Sequence, residues 1–167
     1  MKRYTKKYRL KKRKRTYRNK RRQKGSSKAG SSKAGSGPSL SVIYAKIGNY
    51  GNKPQITLSN YNAPYLLTML DPDAPAGTWT HYIAIINNGK DIKNEPYKYQ
   101  PPSPPKGSGT HRYIFQAYLL PPAAQANLNN TANLLGNDYY VKVLEPFLQD
   151  KKKIGNEVVF TVDAKLS

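Results

Sequence analysis

The chain holds two histidines, His81 and His111, and each stands at or near the start of an apolar run that follows a proline- and glycine-rich stretch. Ahead of His81 lies Asp71-Pro72-Asp73-Ala74-Pro75-Ala76-Gly77, and ahead of His111 lies Pro104-Pro105-Lys106-Gly107-Ser108-Gly109-Thr110. Prolines stiffen such approaches, while glycines admit the positive φ that lets a loop fold tightly with its N–H groups turned inward. The second stretch, rimmed by the His111 imidazole and the Tyr113 phenol, therefore reads as an anion cup. If both loops share one end of the fold, Asp71, Asp73, His81, His111, Tyr113 and glycine N–H donors converge. A carboxylate beside a histidine favours the imidazolium, which would hold a phosphate or carboxylate near neutral pH. The Asp pair would orient the rings or accept from an ammonium headgroup.

Other uses of the cluster fare worse. A zinc site from His81, His111 and one Asp lacks the short-range paired ligand spacing of such sites. An acid/base hydrolase built on Asp71 and the histidines lacks an identifiable nucleophile or activated water. Either stretch alone reads as a hairpin loop with a packed histidine, but finding both histidines at such junctions favours a site. The expectation is an anion-binding cleft, with no metal, no cofactor and no enzymatic activity.

Strands must position these residues. Tyr65 to Leu70 is a continuous apolar run of strand length, which predicts a central strand buried on both faces. Trp79 to Ile86 reads as a strand closed by the Asn87-Asn88-Gly89 turn. From residue 111 to 120 a period of two places His111, Tyr113 and Phe115 on one face. Leu40 to Tyr44, Gln55 to Leu58, Tyr139 to Leu144 and Glu157 to Val162 read as further strands. Residues 90–103 read as a polar loop, 123–137 as an irregular excursion, and roughly 146–153 as a short helix opened by Pro146. The fold class expected is all-β with a minor helix: an antiparallel β-sandwich of Greek-key type.

Charge divides the chain. Lys and Arg number 17 in residues 1–37, which hold no Asp or Glu, so the remainder carries 12 basic against 9 acidic residues. Residues 1–24 read as a disordered basic tail and 25–38 as a Gly/Ser/Lys linker with a Gly-Ser-Ser-Lys-Ala repeat. Residues 39–167 form the folded domain. The block Lys11, Lys12, Arg13, Lys14, Arg15 is of nuclear-import type, with a second cluster at Lys20, Arg21, Arg22. Such a run attracts nucleic acid or an anionic membrane surface, and Tyr4, Tyr8 and Tyr17 could stack on bases. With no cysteine, disulfides and thiol chemistry are excluded. A charged N-terminus without an apolar core predicts no signal peptide, and no run predicts a transmembrane span. The localisation expected is cytoplasmic, with nuclear or virion-associated as the tail's alternatives.

Asp71-Pro72-Asp73-Ala74-Pro75, then Trp79 and His81, then Pro104 to Phe115, together resemble the signature blocks of the phosphatidylethanolamine-binding protein family, which includes the Raf kinase inhibitor proteins. Weaker similarity runs from about Leu40 to Phe160 and excludes the tail. The resemblance implies an antiparallel β-sandwich with a small anion pocket at one end. Carried onto this chain, the pocket residues are Asp71, Asp73, Trp79, His81, Pro105, His111 and Tyr113. It further implies a non-enzymatic binding protein for phosphate-type anions, phospholipid headgroups or phosphopeptides, acting as a regulator or inhibitor through kinase, protease or transcription partners. Three departures stand out. The 75–79 loop is short and carries no Arg, Thr80 replaces an aromatic or second His, and Ser103 stands where relatives carry Gly or Cys. The end at Ser167 leaves no room for the C-terminal helix that borders the pocket in animal members. The alternative is a nucleic-acid-binding or packaging protein working through its N-terminal arm, since such leaders resemble those of large DNA viruses.

Overall fold

The computed structural model describes residues 37–46, 48–128 and 133–164. The basic tail and most of the linker therefore lie outside the described residues. Among the described residues seven strands follow in order: β1 (Ser39–Ile43), β2 (Gln55–Ser59), β3 (Tyr65–Asp71), β4 (Trp79–Asn87), β5 (Asp91–Tyr97), β6 (Thr110–Leu119) and β7 (Lys153–Asp163). They form a two-stranded sheet, β1-β2, and a five-stranded sheet ordered β5-β4-β3-β6-β7, with antiparallel pairing throughout. Strands β3 to β5 are consecutive neighbours, and β6 returns by the long 98–109 connection to lie beside β3. That order is a Greek key.

Two apolar clusters lie on opposite faces of the large sheet. On one face Tyr65, Leu67, Met69, Tyr82, Tyr113 and Phe115 pack against Leu40, Ile56 and Leu58 of the small sheet. On the other, Leu66, Ile83 and Ile85 pack beneath a helical segment that supplies Tyr139 and Leu144. Strand β3 lies between β4 and β6, and all its residues but Leu70 are buried, as its unbroken apolar run predicts. Asn156 clamps the small sheet: its Oδ1 accepts from the Leu40 N–H at 2.8 Å and its Nδ2 donates to the Leu40 carbonyl. A side-chain amide thus substitutes for a strand partner.

Three expectations are corrected. Residues 139–144 are helical rather than extended. Following a 3-10 segment (Pro122–Leu128), α1 (Gly136–Tyr139), a π-helical turn (Tyr140–Leu144) and α2 (Glu145–Leu148) run without a break. The β-branched and aromatic composition favours a strand locally, but covering the second face of the sheet with Tyr139 and Leu144 overrides that preference. The helix therefore begins ten residues earlier than Pro146 suggests and ends at Leu148. Residues 91–97 form β5, an edge strand largely exposed, so its polar composition and Pro96 mimic a loop. No helix among the described residues is long and apolar enough to cross a membrane.

Candidate functional site

The loop after β3 and the loop before β6 meet at one end of the sandwich. Nδ1 of His111 donates to Oδ2 of Asp71 at 2.7 Å, and both side chains are buried. The other Asp71 oxygen accepts from the Asp73 N–H at 2.9 Å, which closes an Asx turn. In front of this pair lies a cleft of about 360 Å³ whose polar lining includes Asp71 and His81 and whose walls include Trp79, Pro75, Pro105 and Tyr113. Of the seven residues expected at a site, these two loops thus bring Asp71, Trp79, His81, Pro105 and Tyr113 to the cleft.

His111 and Asp73 stand elsewhere. His111 backs the cleft without lining it and fixes Asp71 from behind. Asp73 turns away to Arg112, accepting from Nε at 2.8 Å, from Nη2 at 2.7 Å and from the backbone N–H at 2.9 Å. Those bonds hold its carboxyl down to about 2. Its role is to pin the 72–78 loop to β6. The glycines and Lys106 of the second loop do not line the cleft either.

His81 reaches the cleft through an irregularity in β4. Register passes from Met69↔Tyr82 to Leu70↔Thr80, which leaves His81 as an extra residue. Strict alternation would point it with Ile83 and Ile85 toward the helical segment, but the bulge re-aims it. The same phase change buries Thr80, whose Oγ1 finds no partner among the described residues. Nδ1 of His81 donates to the Gln100 carbonyl at 3.0 Å, and Nε2 takes no partner among the described residues. Burial lowers the pKa of this ring, outweighing the opposing Gln100 bond and the Asp71 charge. The free protein therefore carries a neutral His81 at pH 7, not the imidazolium that its carboxylate neighbour suggests.

Tyr113 completes the floor. Its ring lies edge-on to His81, centroids 5.0 Å apart, and stacks on Phe160 at 5.3 Å. The hydroxyl is buried and finds no acceptor among the described residues, the Ser103 N–H lying on its oxygen side. Burial followed by the Asp71 charge pushes its pKa up, so it remains a donor. Trp79 owes its place to Gly136: a Cβ there would collide with Cε2, Cδ2 and Cζ2 of the indole. Nδ2 of Asn137 donates to the Thr78 carbonyl, and the Gly136 N–H to the Tyr97 hydroxyl. The first turn of the helical segment thus braces the cleft wall. Sequence reasoning missed Gly136, Arg112 and Gln100. Only Arg112 left a trace, since strand alternation places it opposite His111 and Tyr113.

Residues 30–162 match the family described as phosphatidylethanolamine-binding protein. The chain belongs to that family. Among relatives of the phosphatidylethanolamine-binding protein family, it is similar to the carboxypeptidase Y inhibitor of Saccharomyces cerevisiae, at 30% identity over 34% of this chain and 38% of that protein. The chain spans less than half the length of the curated relatives it matches. Its fold is similar to a phosphatidylethanolamine-binding protein from Plasmodium vivax, with TM-score 0.56 and 21% identity, over 75% of this chain and 84% of that one. It is also similar to carboxypeptidase Y inhibitor crystallised with its cognate proteinase, with TM-score 0.58 and 19% identity, over 77% and 84% of the two chains. These likenesses fit the all-β sandwich that the strand pattern predicts.

Proposed function

We propose that this chain is a regulatory binding protein whose cleft takes the head of a phosphate-type anion, as a phospholipid headgroup or a phosphopeptide, and that acts through protein partners without catalysis. The observation that carries this reading is the Tyr113 hydroxyl. It is a buried donor with no acceptor among the described residues, at a cleft shared with Nε2 of His81, likewise unpartnered among them. An orphaned buried donor is costly unless a ligand oxygen satisfies it. Among the described residues no Lys or Arg lines the cleft, and Asp71 already accepts from His111 and the Asp73 N–H. A bound anion therefore draws its compensating charge from a proton on His81. A relative crystallised with its proteinase supports a protein partner.

Titration of phosphoethanolamine tests the cleft, read by the emission of Trp79, the chain's single tryptophan. Tyr113→Phe is expected to weaken binding roughly tenfold to a hundredfold, the size of one buried hydrogen bond to a charged group. Equal affinity in both proteins rejects the assignment. Sulfate, whose charge is constant over the range, isolates His81 in a pH series. Because burial lowers the pKa of the free ring and an anion favours its charged form, binding takes up a proton. Affinity is then expected to rise by up to about tenfold per pH unit as pH falls from neutral toward the lowered pKa of the free ring, to level off below it, and to stay flat in His81→Gln.

A second role belongs to the basic tail, favoured by its 17 cations without a counter-charge. Deleting residues 1–36 is expected to abolish retention on DNA, while the full chain loses affinity steeply between 50 and 200 mM salt, about a thousandfold for six phosphate contacts. Retention that survives the deletion would place polyanion binding in the folded domain.

A further inference from the structure

Ser108 stands outside the cleft, yet it ends a hydrogen-bonded chain that anion binding leaves unused. Its Oγ lies 2.8 Å from Nε2 of His111, whose Nδ1 lies 2.7 Å from Oδ2 of Asp71. Asp71 is 2% exposed and His111 fully buried, whereas Ser108 is partly exposed. Hydroxyl, imidazole and buried carboxylate in this order form the arrangement that activates a serine. The base is in reach of the hydroxyl, and a third group fixes the base's tautomer. The Asp71 carboxylate, as acceptor, keeps a proton on Nδ1. The other ring nitrogen, Nε2, is thereby aimed at Oγ.

The surroundings suit an incoming reagent. A Cβ at Gly107 or at Gly109 would meet nothing within 4 Å, so the loop is open on both sides of the serine. The N–H groups of these two glycines, next to Ser108 in the chain, find no acceptor among the described residues and are free to donate to an incoming group. One feature opposes reactivity. Oγ also lies 2.5 Å from the Pro105 carbonyl, which competes with Nε2 for the single hydroxyl proton.

We propose that Ser108 is an acyl-accepting hydroxyl served by His111 and Asp71. Oγ bonds to the carbonyl carbon of an activated ester while its proton passes to Nε2. The adduct then collapses: the bond to the leaving oxygen breaks, and Nε2 returns the proton to that oxygen. Acyl-Ser108 remains, and the ring is back in its starting state. Competition from Pro105 makes this a slow, stoichiometric acylation rather than rapid turnover. The reaction needs no occupant of the cleft, so it stands or falls apart from anion binding.

The test uses the full chain and a fluorophosphonate probe, from which fluoride leaves as Oγ bonds to phosphorus. One label per chain is expected, mapped to Ser108 by peptide mass, absent in Ser108→Ala, and at least about a hundredfold slower in His111→Gln. A second measurement avoids perturbing the buried pair. The chain has no native cysteine, so Ser108→Cys and the exposed control Ser59→Cys each offer a single thiol. Iodoacetamide is expected to alkylate Ser108→Cys at least about tenfold faster at pH 7, because a neighbouring imidazole raises the thiolate fraction. A wild-type chain that stays unlabelled, a label that persists in Ser108→Ala, or equal alkylation of the two thiols overturns the proposal.

Discussion

Replacing His111 with alanine is expected to destabilise the fold by about 3–5 kcal/mol, the typical cost of leaving a buried charge, here the Asp71 carboxylate, without its partner. The reason lies in what the substitution leaves behind. Asp71 sits 2% exposed at the end of β3, and its carboxylate has two donors, the His111 ring and the Asp73 N–H. Without the imidazole, one N–H remains to hold a carboxylate that is almost wholly withdrawn from water. The emptied volume adds a packing loss on top. The measurement is the denaturant midpoint of His111→Ala, Asp71→Asn and the double variant. Because the two side chains act on one another, the double variant should cost less than the sum of the singles. A His111→Ala variant within about 1 kcal/mol of wild type, or strict additivity, would mean that the pair does not hold the two loops together.

The second large effect is expected at Gly136, which no chemical argument about the cleft would single out. Its φ of 49° is left-handed, and a side chain there would occupy the space of the Trp79 indole. Alanine therefore meets both a backbone penalty and an overpacking penalty, together roughly 2–4 kcal/mol. The protein can relieve the second only by swinging the indole away from the cleft wall. Emission of Trp79 should then shift to the red, with greater quenching by acrylamide and at least about tenfold weaker binding of phosphoethanolamine. Adding Trp79→Ala to Gly136→Ala removes the collision and should return part of the lost stability. Unchanged emission in Gly136→Ala would show that the indole is not seated against the helical segment.

Much of this architecture was legible in the residue order. Period-two alternation put His111, Tyr113 and Phe115 on one face, and the unbroken apolar run of Tyr65 to Leu70 marked the doubly covered central strand. The proline-glycine loops before each histidine pointed to the end of the sandwich where the cleft lies. The parts that escaped share a physical cause: they depend on contacts between segments distant in sequence. The helical reading of residues 139–144 follows from a sheet face that must be covered, which local propensity does not register. Strand β5 is polar because it lies at an edge. Asp73 carries the same residue type as Asp71 two positions earlier, yet one faces Arg112 and the other the cleft. The neutral state of His81 likewise follows from the depth of its burial, a quantity that spacing in the chain does not contain.

The extra residue in β4 has an effect that reaches past the cleft. An uninterrupted strand couples its two ends, because exchanging one side chain's orientation exchanges them all. Here His81 absorbs that coupling. The apolar stretch Tyr82 to Ile86 keeps its in-out rhythm against both layers, while Trp79 and Thr80 obey a rhythm shifted by one. The hydrophobic interior can therefore drift through successive substitutions without rotating the ligand-facing end out of position, and the recognition end can be re-tailored without disturbing the interior. Shortening the strand by that single residue would weld the two halves into one frame and remove this independence.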